Sequence, residues 1–274
     1  MKNISCKFWP GRGWTIKCFN KMRFFTEKKE EQNFDDFPAI GGLMVSKMVT
    51  DKKMKPLFMY REKRSRPEDS GWRIFSGFES EDYTDNPDNC AIYNPSTILK
   101  IDPSIADILL KGIGSVYERT TENSEWYKVT NFELEDDYVV THKLTDSWTI
   151  EINNLFERTV EENGDVLYTT GDKSVRLIIW NEKNKPKQSI LEDLKVTILN
   201  RDQSGAKTLE TFEFSDNKVL RQGYLIKEAS EQKEYNVIYG FNIIDNEVLH
   251  AALYFDNPED SDWAIDTWKN IQAI

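Results

Sequence analysis

The chain contains few of the residues that carry most catalytic and metal chemistry. Its 274 residues include only two histidines, His142 and His250, which lie far apart in the sequence. A histidine-rich metal site is therefore excluded, whereas a site made of carboxylates alone is not. The three cysteines, Cys6, Cys18 and Cys90, form no C-x-x-C pair and indicate neither a disulfide framework nor a thiolate zinc site. We expect no cofactor.

Long apolar runs are also absent. The N-terminal residues are basic but lack the apolar stretch of about 7–15 residues that a secretory signal requires. No segment reaches the ~18 consecutive apolar residues of a membrane-spanning helix. The sequence thus predicts a soluble, cytoplasmic protein without a membrane partner.

The chain has fewer basic than acidic residues. The chain has 47 acidic and 36 basic residues, for a formal charge of −11. The phosphate backbone repels such a protein, which disfavours nucleic-acid binding. An acidic surface suits a basic protein partner, because complementary potentials speed the encounter. Many proteins are also acidic only to stay in solution, so charge alone leaves both explanations open.

No standard catalytic motif is present. The sequence lacks G-x-S-x-G, the phosphate-binding G-x-x-x-x-G-K and the zinc motif H-E-x-x-H. His142 and His250 both lie in predicted strands, where a histidine is usually an ordinary surface or core residue. We therefore predict that the protein is not an enzyme and assign no catalytic or metal-binding residue.

The sequence divides into three segments. Residues 1–37 are basic and aromatic, residues 38–132 form a first α+β domain, and residues 136–274 form a second α+β domain. The acidic run over residues 133–137 separates the two domains, which places their boundary between Asn131 and Tyr138. The predicted fold class is α+β in two domains.

Short apolar runs with polar or glycine borders predict the strands of the first domain: 42–46, 56–61, 71–77, 116–119 and 125–129. Asp102 and Pro103 are typical of a helix start, and Gly112 of a helix end. Residues 87–97 are rich in turn formers.

The second domain is predicted to be an antiparallel sheet flanked by helices. Its strand candidates are 138–143, 146–152, 155–160, 166–170, 174–181, 208–214, 219–228, 234–243 and 247–255, with a helix over 188–200. A final helix begins with Asn257 as its cap and Pro258 in its first turn. Ala264, Trp268 and Ile271 then mark its buried face by their spacing.

One segment, from Trp72 to Asn89, combines aromatic and acidic residues. A solvated loop explains it, and its carboxylates suit a hard cation, although their spacing does not match an EF-hand loop. Aromatic rings beside carboxylates also grip cationic side chains. On that third interpretation the candidate partner-binding residues are Trp72, Phe75, Phe78, Glu79, Glu81, Asp82, Tyr83, Asp85 and Asp88.

Several motifs around this segment occur in an order typical of a known family. They are Gly42–Lys47, Phe58–Glu62, Asp69–Gly77, Asn86–Asn89, Ile92-Tyr93, Thr97-Ile98, Ile101–Ile105 and Gly114–Arg119. Together they resemble the domain of unknown function number 2185, also classed as an immunity-protein domain of bacterial polymorphic-toxin systems. The resemblance covers residues 40–130 and implies a small α+β domain that neutralises a cognate toxin by binding it.

The C-terminal region carries a second resemblance. Residues 253–256 and then 262–271 are similar to the last strand and last helix of PsbP-like and DcrB-like domains. The resemblance implies a PsbP-like antiparallel sandwich and gives no site residues.

The resulting hypothesis is a bacterial, non-enzymatic immunity protein that binds a cognate protein toxin, which is basic if charge guides the encounter. One alternative is a hydrolase or transferase that uses Glu79, Asp82, Asp85 and Asp88, with or without a metal ion. Another is a small-ligand or scaffold protein that binds through the second domain. The oligomeric state stays open.

Overall fold

A computed structural model describes residues 33–34, 36–229 and 233–274 of the chain. The basic segment predicted over residues 1–37 lies almost entirely outside the described residues. We call residues 38–132 the first half and residues 136–274 the second half, after the predicted boundary.

The first half contains a six-stranded sheet with the strand order β4-β1-β3-β2-β5-β6. All its neighbouring strands are antiparallel except β1 and β3, which are parallel. Its strands are β1 (Gly42–Ser46), β2 (Phe58–Arg61), β3 (Asp69–Phe75), β4 (Cys90–Tyr93), β5 (Val116–Glu118) and β6 (Tyr127–Lys128).

Short helices cover one face of this sheet and leave the aromatic side chains of the other face accessible. The helices are α1 (Lys47–Thr50), α2 (Glu81–Thr84), α3 (Pro95–Leu99) and α4 (Ala106–Leu109). Alternate strand residues such as Val45, Met59 and Ile74 are fully buried with Leu99 and Leu109. Because side chains alternate across a strand, the residues between them point to the opposite face.

Sequence reasoning found most of these strands and missed β4 and several short helices. Asp102 does cap a helical turn, since its carboxylate accepts the backbone N–H of Ser104 at 3.1 Å, but that turn is a 3-10 helix that precedes α4. The turn-rich residues 87–97 contain β4 and α3. β4 is an edge strand whose Ile92 is 61% exposed, so it lacks the alternation of a half-buried strand.

The second half contains a seven-stranded sheet, β12-β13-β14-β15-β11-β10-β9, and a three-stranded sheet, β16-β8-β7. All of its described strand pairs are antiparallel. The strands are β7 (Val139–Lys143), β8 (Trp148–Asn153), β9 (Glu157–Val160), β10 (Val166–Thr169), β11 (Lys173–Asn181), β12 (Thr208–Glu213), β13 (Leu220–Ala229), β14 (Glu234–Ile244), β15 (Glu247–Phe255) and β16 (Ile271–Ala273).

Two helices flank the seven-stranded sheet. They are α5 (Lys187–Leu199) and α6 (Ser261–Lys269). Ile190 and Leu191 of α5 pack with Val248, whereas α6 packs into the core that contains Leu249. Neighbouring residues of a strand face opposite sides, so the two helices cover opposite faces of the sheet.

Trp268 lies at the centre of the contact between α6 and the sheet. Its side chain is fully buried, and its Nε1 donates to the side-chain oxygen of Asn242 at 3.1 Å. Two glycines make room for the ring, because a Cβ at Gly223 or Gly240 would lie only 2.6 or 2.5 Å from it. Ile271, predicted on the same helix face, instead lies in β16 after α6 has ended at Lys269.

Polar contacts connect the two halves. Arg64 pairs with Glu157 at 2.7 Å, and the Lys63 ammonium donates to the carbonyl oxygen of Asn154 at 2.6 Å. The backbone also connects the halves, because the N–H of Ile113 donates to the carbonyl oxygen of Thr170 at 2.8 Å. Residues 34–274 form one compact unit with separate hydrophobic cores in each half. Independent folding of the halves stays a prediction.

Candidate functional site

The face of the first sheet opposite its core carries large aromatic side chains. Phe58 and Tyr60 alternate with buried Met59 on β2, and Phe58 is directly opposite Phe75 of β3. The ring centroids lie 6.4 Å apart for Phe58 and Phe75 and 6.1 Å apart for Tyr60 and Phe75. Burial raises the pKa of the Tyr60 phenol and the nearby Glu62 raises it further, so this ring stays neutral.

Two further phenylalanines complete a groove on this face. Phe132, which follows the sheet in the chain, lies 5.3 Å from Phe58 and 5.1 Å from Tyr60 between ring centroids. Phe78 is 64% exposed and Phe132 is 37% exposed. The groove has a volume of about 770 Å³, and its lining residues are Leu57, Phe58, Tyr60, Phe75, Gly77, Phe78, Glu79, Thr84, Glu118, Arg119, Thr120 and Phe132.

Glu79 shapes the loop at one side of this groove. Its carboxylate accepts the backbone N–H groups of Ser76 and Gly77, each at 2.9 Å, and of Phe78 at 3.1 Å. Burial by itself would raise the pKa of the Glu79 carboxyl, but hydrogen bonds from Ser46 and from the backbone hold that pKa below its ordinary value. Glu79 therefore keeps its negative charge and also presents Phe78 to solvent.

The positive charge of Arg119, which lines the groove, is neutralised by a buried carboxylate. Arg119 is buried, and its guanidinium donates to the Asp102 carboxylate and to the carbonyl oxygen of Pro56. Glu118, which lies on the groove side of β5, accepts a hydrogen bond from the Tyr127 hydroxyl. The accessible charge of the groove is therefore negative.

The predicted acidic residues border this groove as an exposed segment. Glu81, Asp82 and Asp85 lie in or just after α2, and Asp88 lies in the 3-10 turn that follows. All are exposed, and none takes part in an ion pair within the described part of the chain. Tyr83 is half-buried and donates its hydroxyl to the carbonyl oxygen of Asn89 at 3.3 Å, which ties the segment together.

Trp72 does not belong to a contact surface, contrary to the sequence-based prediction. Its side chain is fully buried in the core, where Nε1 donates to the carbonyl oxygen of Leu109 at 3.0 Å. Sequence reasoning also missed Phe58, Tyr60 and Phe132. The alternation of β2 contains a signal for the first two, whereas nothing in the sequence indicates that Phe132 returns to the sheet.

The described structure does not bring together the residues that were candidates for catalysis or metal binding. Among residues 33–34, 36–229 and 233–274, no three His, Cys, Asp or Glu side chains are grouped so that they could hold a metal ion. His142 contacts the Tyr168 hydroxyl through Nδ1 at 2.8 Å. His250 lies between the rings of Tyr239 and Phe241, and burial lowers its pKa to about 4. No helix within the described residues has the length and apolarity needed to span a bilayer.

Several solved structures are similar to part of the chain. The solution structure of cyanobacterial PsbP (CyanoP) from Synechocystis sp. PCC 6803 has a TM-score of 0.38 and 6% identity, over 53% of this chain and 97% of that chain. A crystal structure from Bacteroides thetaiotaomicron VPI-5482 has a TM-score of 0.36 and 10% identity, over 46% and 45%. A mutant of the protein Mog1 has a TM-score of 0.30 and 14% identity, over 47% and 84%. No curated protein matches the chain.

A family model matches the first half. Residues 43–130 match the family described as the Immunity protein Imm33 domain. The resemblance to an immunity-protein domain, predicted from the motifs between Gly42 and Arg119, is thereby confirmed. Most of the aromatic face, from Phe58 to Phe78, lies within the part of the chain that matches this immunity-protein domain.

Proposed function

We propose that this protein is a bacterial immunity protein that neutralises a protein toxin by binding it through the aromatic face of the first sheet. The observation that carries the proposal is an exposed aromatic groove within residues that match an immunity-protein domain. We include cytoplasmic location and the absence of a nucleic-acid partner in this proposal, in line with the acidic composition.

The groove has the properties of a protein-binding surface. Buried aromatic anchors dominate the energy of protein interfaces, and exposed rings such as Phe78 and Phe132 gain that energy only when a partner covers them. Phe58 and Phe75 lie on paired strands, so binding costs little ordering of their backbone. The acidic segment beside them favours encounter with a basic surface.

In this proposal the protein inhibits the toxin by binding to it, and no chemical step is needed. The candidate carboxylates are used otherwise or spread along the surface, since Glu79 holds backbone N–H groups and Asp88 lies in a separate turn from Asp82. This arrangement supports a binding role over the hydrolase or transferase alternative.

A neutralisation assay tests the proposal. The full chain is co-expressed with a toxin encoded beside its gene, and cell growth is measured for the wild type and for Phe75→Ala and Phe78→Ala. We expect each variant to weaken protection and to reduce affinity for the toxin by at least about tenfold, the effect of losing roughly 1.4 kcal/mol at an interface anchor.

Leu209→Ala is the matched control, because Leu209 is a comparably exposed apolar side chain (59%) on β12 in the second half. It should protect like the wild type. If Phe75→Ala and Phe78→Ala both protect and bind as the wild type does, the aromatic face is not the toxin site and the proposal is wrong.

A further inference from the structure

We infer that the groove on the aromatic face binds an arginine side chain of the partner. This inference rests on the proposed function and specifies what the partner presents to that site. It follows from the charge of the groove, the position of its carboxylates and the shape of its floor.

The charge of the groove is negative where a partner reaches it. Three charged residues line the groove, namely Glu79, Glu118 and Arg119. Arg119 is only 5% exposed and is engaged with the Asp102 carboxylate beneath the surface. The two glutamates are half-buried and have no ion-pair partner among the described residues.

The two carboxylates flank the aromatic floor on opposite sides. Phe58 of the middle strand is directly opposite Phe75 on one neighbour and Glu118 on the other. With about 4.8 Å between neighbouring strands, Phe75 and Glu118 lie about 10 Å apart across the floor. Glu79 is fixed at the Phe75 side by its bonds to the loop that follows β3.

This arrangement matches a guanidinium group. A guanidinium is planar, stacks on aromatic rings and donates to carboxylates at its edge, whereas an ammonium is a compact and more strongly hydrated charge. An apolar side chain would cover the rings and remove water from two carboxylates that have hydrogen bonds but no cationic partner, which is costly. A carboxylate from the partner would be repelled. The groove therefore favours arginine over lysine, apolar and acidic side chains.

A titration with single-residue probes tests the inference without the toxin. The full chain, carrying 13C-labelled phenylalanine, is titrated with N-acetyl-arginine methylamide up to tens of millimolar. N-acetyl-citrulline methylamide, which keeps the shape and loses the charge, is the control probe. Signals of Phe58, Phe75, Phe78 and Phe132 should move with arginine, and the citrulline affinity should be about two- to fivefold lower.

Matched variants locate the effect. Glu118→Gln should lower the arginine affinity by about two- to fivefold, because it removes one flanking charge and keeps the size of the side chain. Glu151→Gln removes an exposed carboxylate on β8 in the second half and should leave the affinity unchanged. Equal responses to arginine and citrulline, or no movement of the groove signals, would overturn the inference.

The outcomes separate this inference from the proposed function. If the groove signals do not respond to arginine while Phe75→Ala and Phe78→Ala still weaken protection, the face binds the toxin and only the arginine assignment falls. If those variants protect normally, the proposed function falls and the assignment of a toxin arginine falls with it.

Discussion

Asp102 and Arg119 form an ion pair in which neither side chain reaches solvent. Both side chains are at most 2% exposed, and Arg119 also donates to the carbonyl oxygen of Pro56. Trp126 packs on the guanidinium, whose central carbon lies 4.5 Å from the ring centroid. The pair connects the 3-10 turn that begins after Asp102 to the end of β5, which Arg119 follows. Both of its residues belong to the family-like motifs, so at least part of those motifs serves the framework.

The first prediction concerns this pair. Asp102→Ala should lower the free energy of unfolding by about 3–5 kcal/mol, because it leaves the Arg119 charge buried without compensation. Lys143 and Asp146 form the matched control, since both are well exposed and Asp146→Ala should leave the free energy of unfolding nearly unchanged. Urea denaturation followed by fluorescence measures both. Similar small losses would show that Arg119 is satisfied without Asp102.

The second prediction concerns His250. Burial lowers its pKa from 6.5 to about 4 in the folded protein. Between these two pH values the folded state therefore holds the neutral ring, whereas the unfolded state binds a proton. Above about pH 6.5 the ring is neutral in both states, and His250 does not reduce the stability of the fold. As pH falls from 6.5 towards about 4, the unfolded state gains a proton that the folded state does not bind, and this lowers the free energy of unfolding by a total of about 3 kcal/mol.

The measurement compares urea denaturation at several pH values for the wild type and His250→Phe, which keeps an aromatic ring between Tyr239 and Phe241. The variant should lose less stability between pH 7 and pH 4 than the wild type. Identical pH profiles would show that His250 is not buried in its neutral form.

At the scale of elements, Trp268 is the largest buried side chain by which α6 packs on the sheet. Trp268 fills the space over Gly223 and Gly240, and we predict that Trp268→Ala lowers the free energy of unfolding by about 3–5 kcal/mol. Trp263 of the same helix is half-buried and stacks on Phe156, so Trp263→Ala should cost clearly less. Denaturation of the two variants measures the difference, and a cost under about 1 kcal/mol for Trp268→Ala would contradict its burial.

The acidic segment around α2 is an element with few internal contacts to lose. Glu81, Asp82 and Asp85 are exposed, so reversing all three charges to lysine should leave the melting temperature nearly unchanged. If a basic partner docks beside them, the association rate should fall, and the difference should shrink as salt rises.

Two comparisons make this fourth prediction specific. Reversal of Glu151, Glu162 and Glu210, all exposed in the second half, changes the net charge equally and should slow association much less. The metal alternative predicts instead that millimolar Ca²⁺ or Mg²⁺ raises the melting temperature and that the α2 variant loses this gain. Stoichiometric ion binding in a calorimetric titration would favour that alternative.

At the scale of the whole molecule, the two halves have their own hydrophobic cores, and several polar contacts connect them. Trp72 and Met59 belong to one core, and Trp148 and Trp268 to the other. The contacts between the halves include the exposed pair of Arg64 with Glu157, a type of contact that contributes little to stability.

The fifth prediction follows from this organisation. Limited proteolysis should cut between Asn131 and Tyr138, where most side chains are exposed, and leave two fragments that keep their secondary structure. Mass spectrometry of the fragments locates the cut, and circular dichroism reports their folding. Resistance of residues 34–274 as a single body would contradict independent folding of the halves.

Local patterns in the sequence predicted most strands because their alternation is itself the cause of burial on one face. The strand predicted over 247–255 has these bounds in β15, and the predicted helix over 188–200 is shifted by one residue in α5. The cap at Asp102 and the burial of Trp268 follow from the same local rules. The short helices α1 and α3 were missed, because helices of four or five residues have too few turns to show a period.

The sequence by itself determined the α+β class, the acidic charge, the resemblance of the first half to an immunity-protein domain and the acidic–aromatic segment as a candidate surface. Only the tertiary structure decided which aromatic residues are accessible. Trp72 and Phe75 belong to the same strand, yet Trp72 faces the core and Phe75 faces the groove. Phe132 joins Phe58 through a contact between residues distant in the chain. Such contacts depend on how strands pair and loops return, and local periodicity carries no information about them.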